Sequence, residues 1–385
     1  MIVGIVCEYN PFHNGHLYQI EKTRQAGADA VICVMSGNFV QRGECAIIDK
    51  HKRALCAIRG GADLVIDLPV PWALGSAESF ARGSISLLAA MGIDILSFGS
   101  ESDDKELLYL CARACDDEKT ASQIKKLMSE GLSYPAALSS SAGEIYGERV
   151  KELLSLPNST LAVDYIRQLR LYSPDCNILP VKRIGVSHDS DDTSEGFASA
   201  SRIRESISES DVSAFIPDYT AEAVNQARLH SLKYAERAVL SSLREMPKQE
   251  YSLHVTDSKG LAERIYNSVK NAVSLEELCT AVKSKNYTLS RIRREILRLY
   301  LKIPADYEKR TPPYIRVLAA NEKGLSLLKN ASLPVVTKHS DAALEDAFCK
   351  EIYSLQCSST DKFSLMSEKI SPMGQEQKSS VIIVK

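Results

Sequence analysis

Four short apolar runs near the start of the chain constrain its fold more than any other feature. They are rich in valine and isoleucine and begin roughly 30 residues apart, which is the length of a βαβ unit. Because apolar and polar residues barely alternate within them, the runs are typical of parallel strands buried on both faces. The sequence therefore predicts an open, doubly wound, Rossmann-like α/β domain. The runs are Ile2–Cys7, Ala30–Met35, Leu64–Leu68 and Ile93–Phe98.

Helical periodicity fills the intervals between these runs. It predicts crossover helices over Gly15–Ala26, Asp49–Arg59 and Ser76–Ala90. A helical insertion over about residues 103–171 is expected next, followed by one more strand at Ile178–Val181. The strands of the sheet are therefore expected to come from the first half of the chain.

The rest of the chain divides into two further regions when the same apolar periodicity is followed along it. We assign residues 1–205 to the α/β domain, 206–303 to a mainly helical region, and 304–385 to a small mixed α/β region. Within the last region, the polar stretch 358–380 is interpreted as a loose loop. With 385 residues and 44% hydrophobic residues, each region can bury a core.

Composition limits which partners the chain is expected to bind and indicates the compartment in which it is expected to work. A net charge of −2 does not indicate a nucleic-acid binder as a whole, so such a partner must meet a local basic patch. The ten cysteines include no C-x-x-C pair, so no metal site is predicted. Free thiols without a secretory signal predict a reducing cytoplasm. No stretch has the roughly 20 apolar residues of a membrane helix.

The segment YNPFHNGH lies between the first predicted strand and the first predicted helix. In an open α/β sheet, a ligand binds at this edge, where the helix start offers unpaired amide groups and a positive dipole. Gly15 allows close approach, and His13 and His16 can donate hydrogen bonds to phosphate oxygens. This pattern favours attack on the α-phosphate of a nucleotide. The alternative is a pair of histidines that only cap the helix.

This segment resembles the H-x-G-H signature of the nucleotidylyltransferase superfamily. The later segment FASASRIRES is similar to the second signature of that superfamily, with Ser199 and Arg204 in the matching places. By this resemblance Ser199 caps a helix, Arg204 reaches the β- or γ-phosphate, and Ser201 adds a hydroxyl. An ordinary capped helix is the alternative for this segment alone.

Longer segments resemble one bacterial family, the tRNA(Met) cytidine acetate ligases. They include MSGNFVQRGECAIIDKHKRA at 35–54, LPNSTLAVDYIRQL at 156–169 and PPYIRVLAANEKG at 312–324. The resemblance implies two reactions: acetate and ATP give acetyl-adenylate and pyrophosphate, and the wobble cytidine of elongator tRNA(Met) then takes the acetyl group. It also implies ATP as substrate, with Mg²⁺ as its phosphate partner.

The resemblance also implies the site residues. His13 and His16 act as transition-state stabilisers on the ATP phosphates, and the loop that carries them surrounds the nucleotide. Residues from three later segments complete the site. The implied nucleotide-binding residues are Val6, Cys7, Glu8, Tyr9, Asn10, Pro11, Phe12, His13, Asn14, Gly15, His16, Leu17, Tyr18, Gln19, Gly99, Asn158, Arg183, Ile184, Ser199 and Arg204.

Several of these positions have plain structural alternatives. Asn158 could cap a helix over Ser159–Leu169, and Arg183 could be a solvated charge at a strand end. Asp49, Lys50 and Arg53 open the second predicted helix in a segment that matches the family, but a capped, exposed helix start explains them at least as well.

A basic helix predicted over Ser290–Lys302 is the candidate tRNA surface. Its cationic residues recur every three or four positions and are predicted to line one exposed face, opposite a buried apolar face. Such a stripe suits phosphate contacts, and Tyr287 and Tyr300 could stack on bases. A solvated charged face is the alternative. The predicted RNA contacts are Arg291, Arg294, Arg298 and Lys302.

Two other functions compete with the ligase. A small-molecule adenylyltransferase would share both signatures, but it would not need about 180 further residues with a basic helix. A nucleotide-sensing RNA-binding protein without catalysis would have no chemical reason to keep His13, His16 and Arg204. The sequence leaves the oligomeric state open.

Overall fold

The computed structural model describes residues 1–183, 196–207, 211–256, 260–342 and 346–385. The strands are β1 Ile2–Cys7, β2 Ala30–Ser36, β3 Phe39–Val40, β4 Glu44–Cys45, β5 Leu64–Leu68, β6 Ile95–Ser100, β7 Asn177–Lys182, β8 Ile315–Asn321, β9 Val335–Val336 and β10 Ile382–Val384. The helices of the first half are α1 Asn14–Gln25, α2 Lys50–Arg59, α3 Val70–Ala73, α4 Ala77–Ala90, α5 Lys105–Asp116, α6 Glu118–Ser129, α7 Tyr134–Tyr146, α8 Glu148–Leu154 and α9 Pro157–Tyr172. Those of the second half are α10 Ala200–Ser206, α11 Asp218–Asn225, α12 Leu232–Glu245, α13 Lys248–His254, α14 Leu261–Val269, α15 Leu275–Val282, α16 Leu289–Leu301, α17 Glu322–Leu327, α18 Ala347–Ser364 and α19 Gln375–Lys378.

The central sheet has the order β10-β8-β5-β2-β1-β6-β7, with β9 paired to β8. The five strands predicted from sequence form its parallel part, β5-β2-β1-β6-β7, in which Ile5 pairs with Cys33 on one side and Ser97 on the other. The direction of winding reverses between β1 and β6, so the crevice at their carboxyl ends is the expected ligand position. The predicted doubly wound α/β fold is confirmed.

Residues of β2 alternate between two hydrophobic clusters, one on each face of the sheet. Ile32 and Val34 pack with α4, α5 and α9, whereas Val31 and Cys33 pack with α1 and α2. Every residue of β2 is buried. Removing an aliphatic side chain of this size from water contributes about 1.5–3 kcal/mol, so the continuous apolar run stabilises both layers at once.

The C-terminal region completes this sheet, so the expectation that its strands come from the first half of the chain is wrong. Strand β8 pairs antiparallel with β5, and β9 and β10 pair with β8. Buried charges fasten the region: Lys50 Nζ lies 2.6 Å from Asp67 Oδ2 and 2.7 Å from Glu376 Oε2, and Arg316 Nε lies 3.3 Å from Glu376 Oε1. The predicted loose loop at 358–380 is therefore wrong, because it contains the end of α18 and all of α19. The three-region division stays a prediction.

The helices from α12 to α16 share a second hydrophobic cluster. Ile292, Ile296 and Leu299 of α16 lie at its centre, and Phe363 and Met366 join it from α18 and the turn that follows. These helices agree with the mainly helical region predicted over residues 206–303. Among the described residues, none of the helices is both long and apolar enough to cross a membrane.

Candidate nucleotide-binding site

The first turn of α1 is held by its two histidines. His13 is the N-cap, and its Nδ1 accepts a hydrogen bond from the Gly15 amide at 3.1 Å. The amide of His13 in turn donates to His16 Nδ1 at 3.2 Å, an arrangement like the reciprocal capping box. The two rings stack with centroids 3.6 Å apart. Capping and ligand binding are therefore not alternatives, because Nδ1 of each ring serves the helix and Nε2 remains available.

Burial sets the protonation of this pair. It lowers the pKa of His13 to about 3, helped by the charges of Arg183 and Arg204. Burial also lowers the pKa of His16 well below its usual value, with the charges of His13 and Arg183 as further causes. In a neutral imidazole whose Nδ1 accepts a hydrogen bond, the proton resides on Nε2. Both rings are therefore neutral Nε2–H donors at physiological pH.

The second signature lies against the same loop. Ser199 is the N-cap of α10 and accepts from the Arg202 amide, as predicted. Arg204 donates to the carbonyl of Asn10 at 2.9 Å and to Ser201 Oγ at 3.3 Å. These contacts fix the guanidinium beside the histidine loop, where it can bind phosphate.

Asn158 lies in the first turn of α9 rather than at its cap, because the helix begins at Pro157 and Leu156 is the N-cap. The cap interpretation is therefore wrong. Asn158 Nδ2 donates to Glu101 Oε1 at 2.7 Å, and Ser159 Oγ donates to Glu101 Oε2 at 2.5 Å. Although burial acts to raise the pKa of Glu101, these hydrogen bonds lower it overall. The Asn158 amide is thus oriented by an ionised carboxylate.

Two adjoining depressions, of about 80 and 350 Å³, lie at the carboxyl ends of β1 and β6. Those implied nucleotide residues that line them are Val6, Cys7, Glu8, Tyr9, Asn10, His13, Gly15, His16, Tyr18, Gln19, Gly99, Asn158, Arg183, Ser199 and Arg204. Four others do not line them. Phe12 is buried, Leu17 packs on the core, Pro11 is buried within the loop, and Asn14 donates to the carbonyls of Gly196 and Ala214. Ile184 lies outside the described residues.

Arg183 is exposed and passes over Gly99, where a Cβ would meet its Cγ at 3.7 Å. Arg183 directly follows the end of β7 and also lines both depressions, so its position fits both a strand-end charge and a nucleotide contact. The nucleotide contact implied for Gly99 stays a prediction.

Sequence reasoning missed three further features of the site. Glu101, which orients Asn158, was not predicted. The hairpin β3–β4 was not predicted; its turn contains Gln41, whose amide donates to Glu8 Oε1 at 2.8 Å. Arg53 is buried and donates to the carbonyls of Glu8, Ser36 and Ile48, so the exposed helix start expected there is wrong. An arginine surrounded by carbonyls has no local sequence signal.

The basic helix is not the exposed stripe that was predicted. Arg298 is buried, donates to the carbonyls of Pro71, His254 and Pro304, and lies 3.6 Å from Glu308. Arg294 is half-buried and donates to the Gln41 carbonyl. Arg291 is half-buried and donates to the Thr256 carbonyl, whereas Lys302 is an exposed left-handed C-cap. Arg298 is therefore wrong as an RNA contact, because α16 is packed on both faces, and buried Tyr300 cannot stack on a base.

The geometry defines the class of protein: a doubly wound sheet whose first strand is followed by a histidine-capped helix start. A family model described as HIGH Nucleotidyl Transferase matches residues 1–378. A tRNA(Met) cytidine acetate ligase of Acetivibrio thermocellus is 34% identical over the full length of both chains. One from Thermoanaerobacter sp. is 36% identical over 92% of this chain and 95% of that protein.

Solved structures agree. The apo crystal structure of Thermotoga maritima TmcAL matches with a TM-score of 0.90 and 28% identity over all of both chains. The form bound with α-thio ATP gives 0.88 at the same identity and coverage. The chain belongs to the tRNA(Met) cytidine acetate ligases within the HIGH nucleotidyl transferase family.

Proposed function

We propose that the chain is an ATP-dependent ligase that acetylates the wobble cytidine of elongator tRNA(Met) through acetyl-adenylate. The observation that carries the proposal is the pair of neutral Nε2–H donors at the start of α1, with Arg204 beside them. Relatives that cover 92% or more of this chain are named tRNA(Met) cytidine acetate ligases, and one solved relative holds an ATP analogue. The tRNA substrate fits a cytoplasmic location.

In the first step, a carboxylate oxygen of acetate attacks the α-phosphorus of ATP, and the bond from that phosphorus to the leaving pyrophosphate breaks. Charge accumulates on the phosphate oxygens, where the His13 and His16 Nε2–H groups and the Arg204 guanidinium can stabilise it. Since the donors are held by capping and hydrogen bonds before ATP binds, little reorganisation is required. No side chain needs to form a covalent intermediate.

In the second step, the exocyclic amine of cytidine attacks the acetyl carbonyl carbon. The carbon–oxygen bond to AMP breaks, the amine nitrogen passes a proton to solvent water, and acetylcytidine and AMP are released. Glu8 lines the nucleotide depression, and burial raises the pKa of its carboxyl group. No acetyl-coenzyme A is required.

Mg²⁺ is proposed only as a counter-ion that arrives with ATP. Among the described residues, no group of three or more His, Cys, Asp or Glu side chains could hold a metal ion. The one carboxylate in the described nucleotide depressions, Glu8, uses Oε1 to accept the Gln41 amide. Because Mg²⁺ binds largely through phosphates and water, no reaction step is assigned to it here.

Acetate-dependent ATP–pyrophosphate exchange, followed by nucleoside mass spectrometry of added bacterial tRNA, tests the proposal. His16→Ala is expected to reduce exchange about 10²–10³-fold, because it removes one preplaced donor. His339→Ala is the matched control, since His339 is an exposed histidine outside the site. Exchange that persists in His16→Ala would contradict the role of His16. Exchange without acetate and without RNA modification would instead favour a small-molecule adenylyltransferase.

A further inference from the structure

A second concavity lies on the far side of the hairpin β3–β4 from the nucleotide depressions. It is an open cleft of about 1010 Å³ between the hairpin, the start of α12, and α15 and α16. We call it the acceptor cleft. Arg204 lines both the cleft and the nucleotide depression. A group bound in the cleft would therefore lie next to the phosphates without having to displace ATP.

Resting on the proposed function, we propose that the acceptor cleft receives the unstacked acceptor base of a single-stranded RNA segment. Sequence-selective RNA recognition generally uses bases that are splayed out of loops and stacked on aromatic side chains. Tyr234 lines the cleft and is 55% exposed, so a base that enters the cleft can reach its ring. Enzymes that act on a base hold it in a pocket of this kind.

The charges of the cleft fit a base better than a phosphate backbone. Its cationic residues, Arg204, Lys233 and Arg293, are matched by three carboxylates, and apolar side chains such as Ile47 and Leu275 form much of its surface. A groove that binds the backbone would carry an excess of cations. The exposed Lys233 can still meet a phosphate beside the bound base.

Glu44 gives the cleft a means to select a base with an amino group. Its carboxylate lies between the two arginines, with Oε1 3.1 Å from Arg293 Nη1 and Oε2 3.6 Å from Arg204 Nη2. Carboxylates accept hydrogen bonds from the exocyclic amine of cytosine. Because Arg204 also borders the nucleotide depression, a base held by Glu44 would direct its amine toward that depression.

Close packing holds the hairpin in this place. Gly43 has a φ of +76°, and a Cβ there would lie 2.5 Å from the Arg294 amide nitrogen on α16. Only glycine allows such an approach. Arg294 also donates to the Gln41 carbonyl, so the basic helix holds the wall that the cleft shares with the nucleotide site.

Tyr234→Ala tests the cleft. The two half-reactions are measured separately, as acetate-dependent ATP–pyrophosphate exchange and as transfer from preformed acetyl-adenylate to an elongator tRNA(Met) transcript. Transfer is expected to fall about 5- to 100-fold, in keeping with the loss of one stacking contact. Exchange is expected to stay at the wild-type level. Tyr172→Ala is the matched control, because this tyrosine is 37% exposed at the C-terminal end of α9 and does not line the cleft.

The outcomes separate the cleft from the proposed function. Transfer at the wild-type rate in Tyr234→Ala, or an equal loss in Tyr172→Ala, would overturn the acceptor cleft. Lys233→Glu gives a second check and is expected to raise the KM for the tRNA transcript without changing exchange. If the wild-type protein itself lacks acetate-dependent exchange, the proposed function fails, whatever the cleft variants do.

Discussion

Two helices of this protein, α1 and α16, were both expected to bind phosphate, but their side chains are packed differently in the structure. At the start of α1, His13 and His16 bond to backbone through Nδ1 only. On α16, the Arg298 side chain is surrounded by carbonyls and carboxylates and has no exposed face. The two helices differ in whether their side chains keep a hydrogen-bond donor that is not used in packing. A side chain can serve both fold and ligand only if it has a hydrogen-bonding group left after packing.

The largest effect is expected for the free energy of unfolding when Arg298, which is fully packed, is replaced. Arg298→Ala leaves Glu295 and Glu308 without their shared buried partner, so we expect the free energy of unfolding to fall by about 3–5 kcal/mol. Urea denaturation measures this change. Lys302→Ala, one turn later and exposed, is the control and is expected to change stability by less than about 0.5 kcal/mol. An Arg298→Ala variant of wild-type stability but weakened tRNA affinity would restore the basic-stripe interpretation.

The contrast between the helices also explains what sequence could predict. The five parallel strands and the first crossover helices follow from unbroken apolar runs and the period of the βαβ unit. The histidine site follows from a short motif placed beside the first strand, because all its contacts are local. Spacing alone placed Arg298 on an exposed face, since nothing in the pattern of α16 shows that Pro71 and Glu308 will cover it.

Long-range pairings account for the other misses. Glu376 lies in a polar stretch, yet it is buried because Lys50 and Arg316 meet it from α2 and β8. Both partners are distant in sequence, 60 residues from Glu376 for Arg316 and farther for Lys50. In isolation, each of these charged residues is therefore interpreted as solvated. Glu101 was overlooked for a similar reason, because its partners on α9 follow about 57 residues later, beyond any local pattern.

A smaller effect, on the KM for ATP, should show whether Glu101 supports nucleotide binding by orienting Asn158. Glu101→Gln keeps the shape of the side chain but removes the charge that holds Asn158 and Ser159. Because hydrogen bonds to charged groups contribute about 1.5–3 kcal/mol, we expect the KM for ATP to rise roughly tenfold or more. The maximal exchange rate should change little, since Glu101 does not contact the reacting atoms.

The matched control for that measurement is Glu106→Gln, an exposed carboxylate in the first turn of α5. A purely structural role of Glu101 predicts a lower melting temperature with an unchanged KM for ATP. That result would mean that the orientation of Asn158 by Glu101 does not affect ATP binding. Helix α9 would then contribute to the site by packing alone.

The smallest effect tests the neutral state of the α1 histidines. The folded-state pKa of His13, about 3, lies below the value of about 6.5 expected in the unfolded chain. The unfolded state therefore binds the proton first as pH falls. The stability contributed by neutral His13 is complete above pH 6.5 and is lost progressively below it.

His13→Gln removes this titration and should flatten the decline in stability on acidification. Between pH 6.5 and 5.5, the wild-type free energy of unfolding should fall by about 1 kcal/mol more than that of the variant. Urea denaturation at both pH values measures the difference, and the His13 ring resonances in NMR should not shift over that interval. Ring resonances that titrate near pH 6.5 would mean that His13 is charged when it meets ATP. The donors on α1 would then attract phosphate by charge, as the arginines of α16 were expected to do, rather than by preplaced neutral N–H groups.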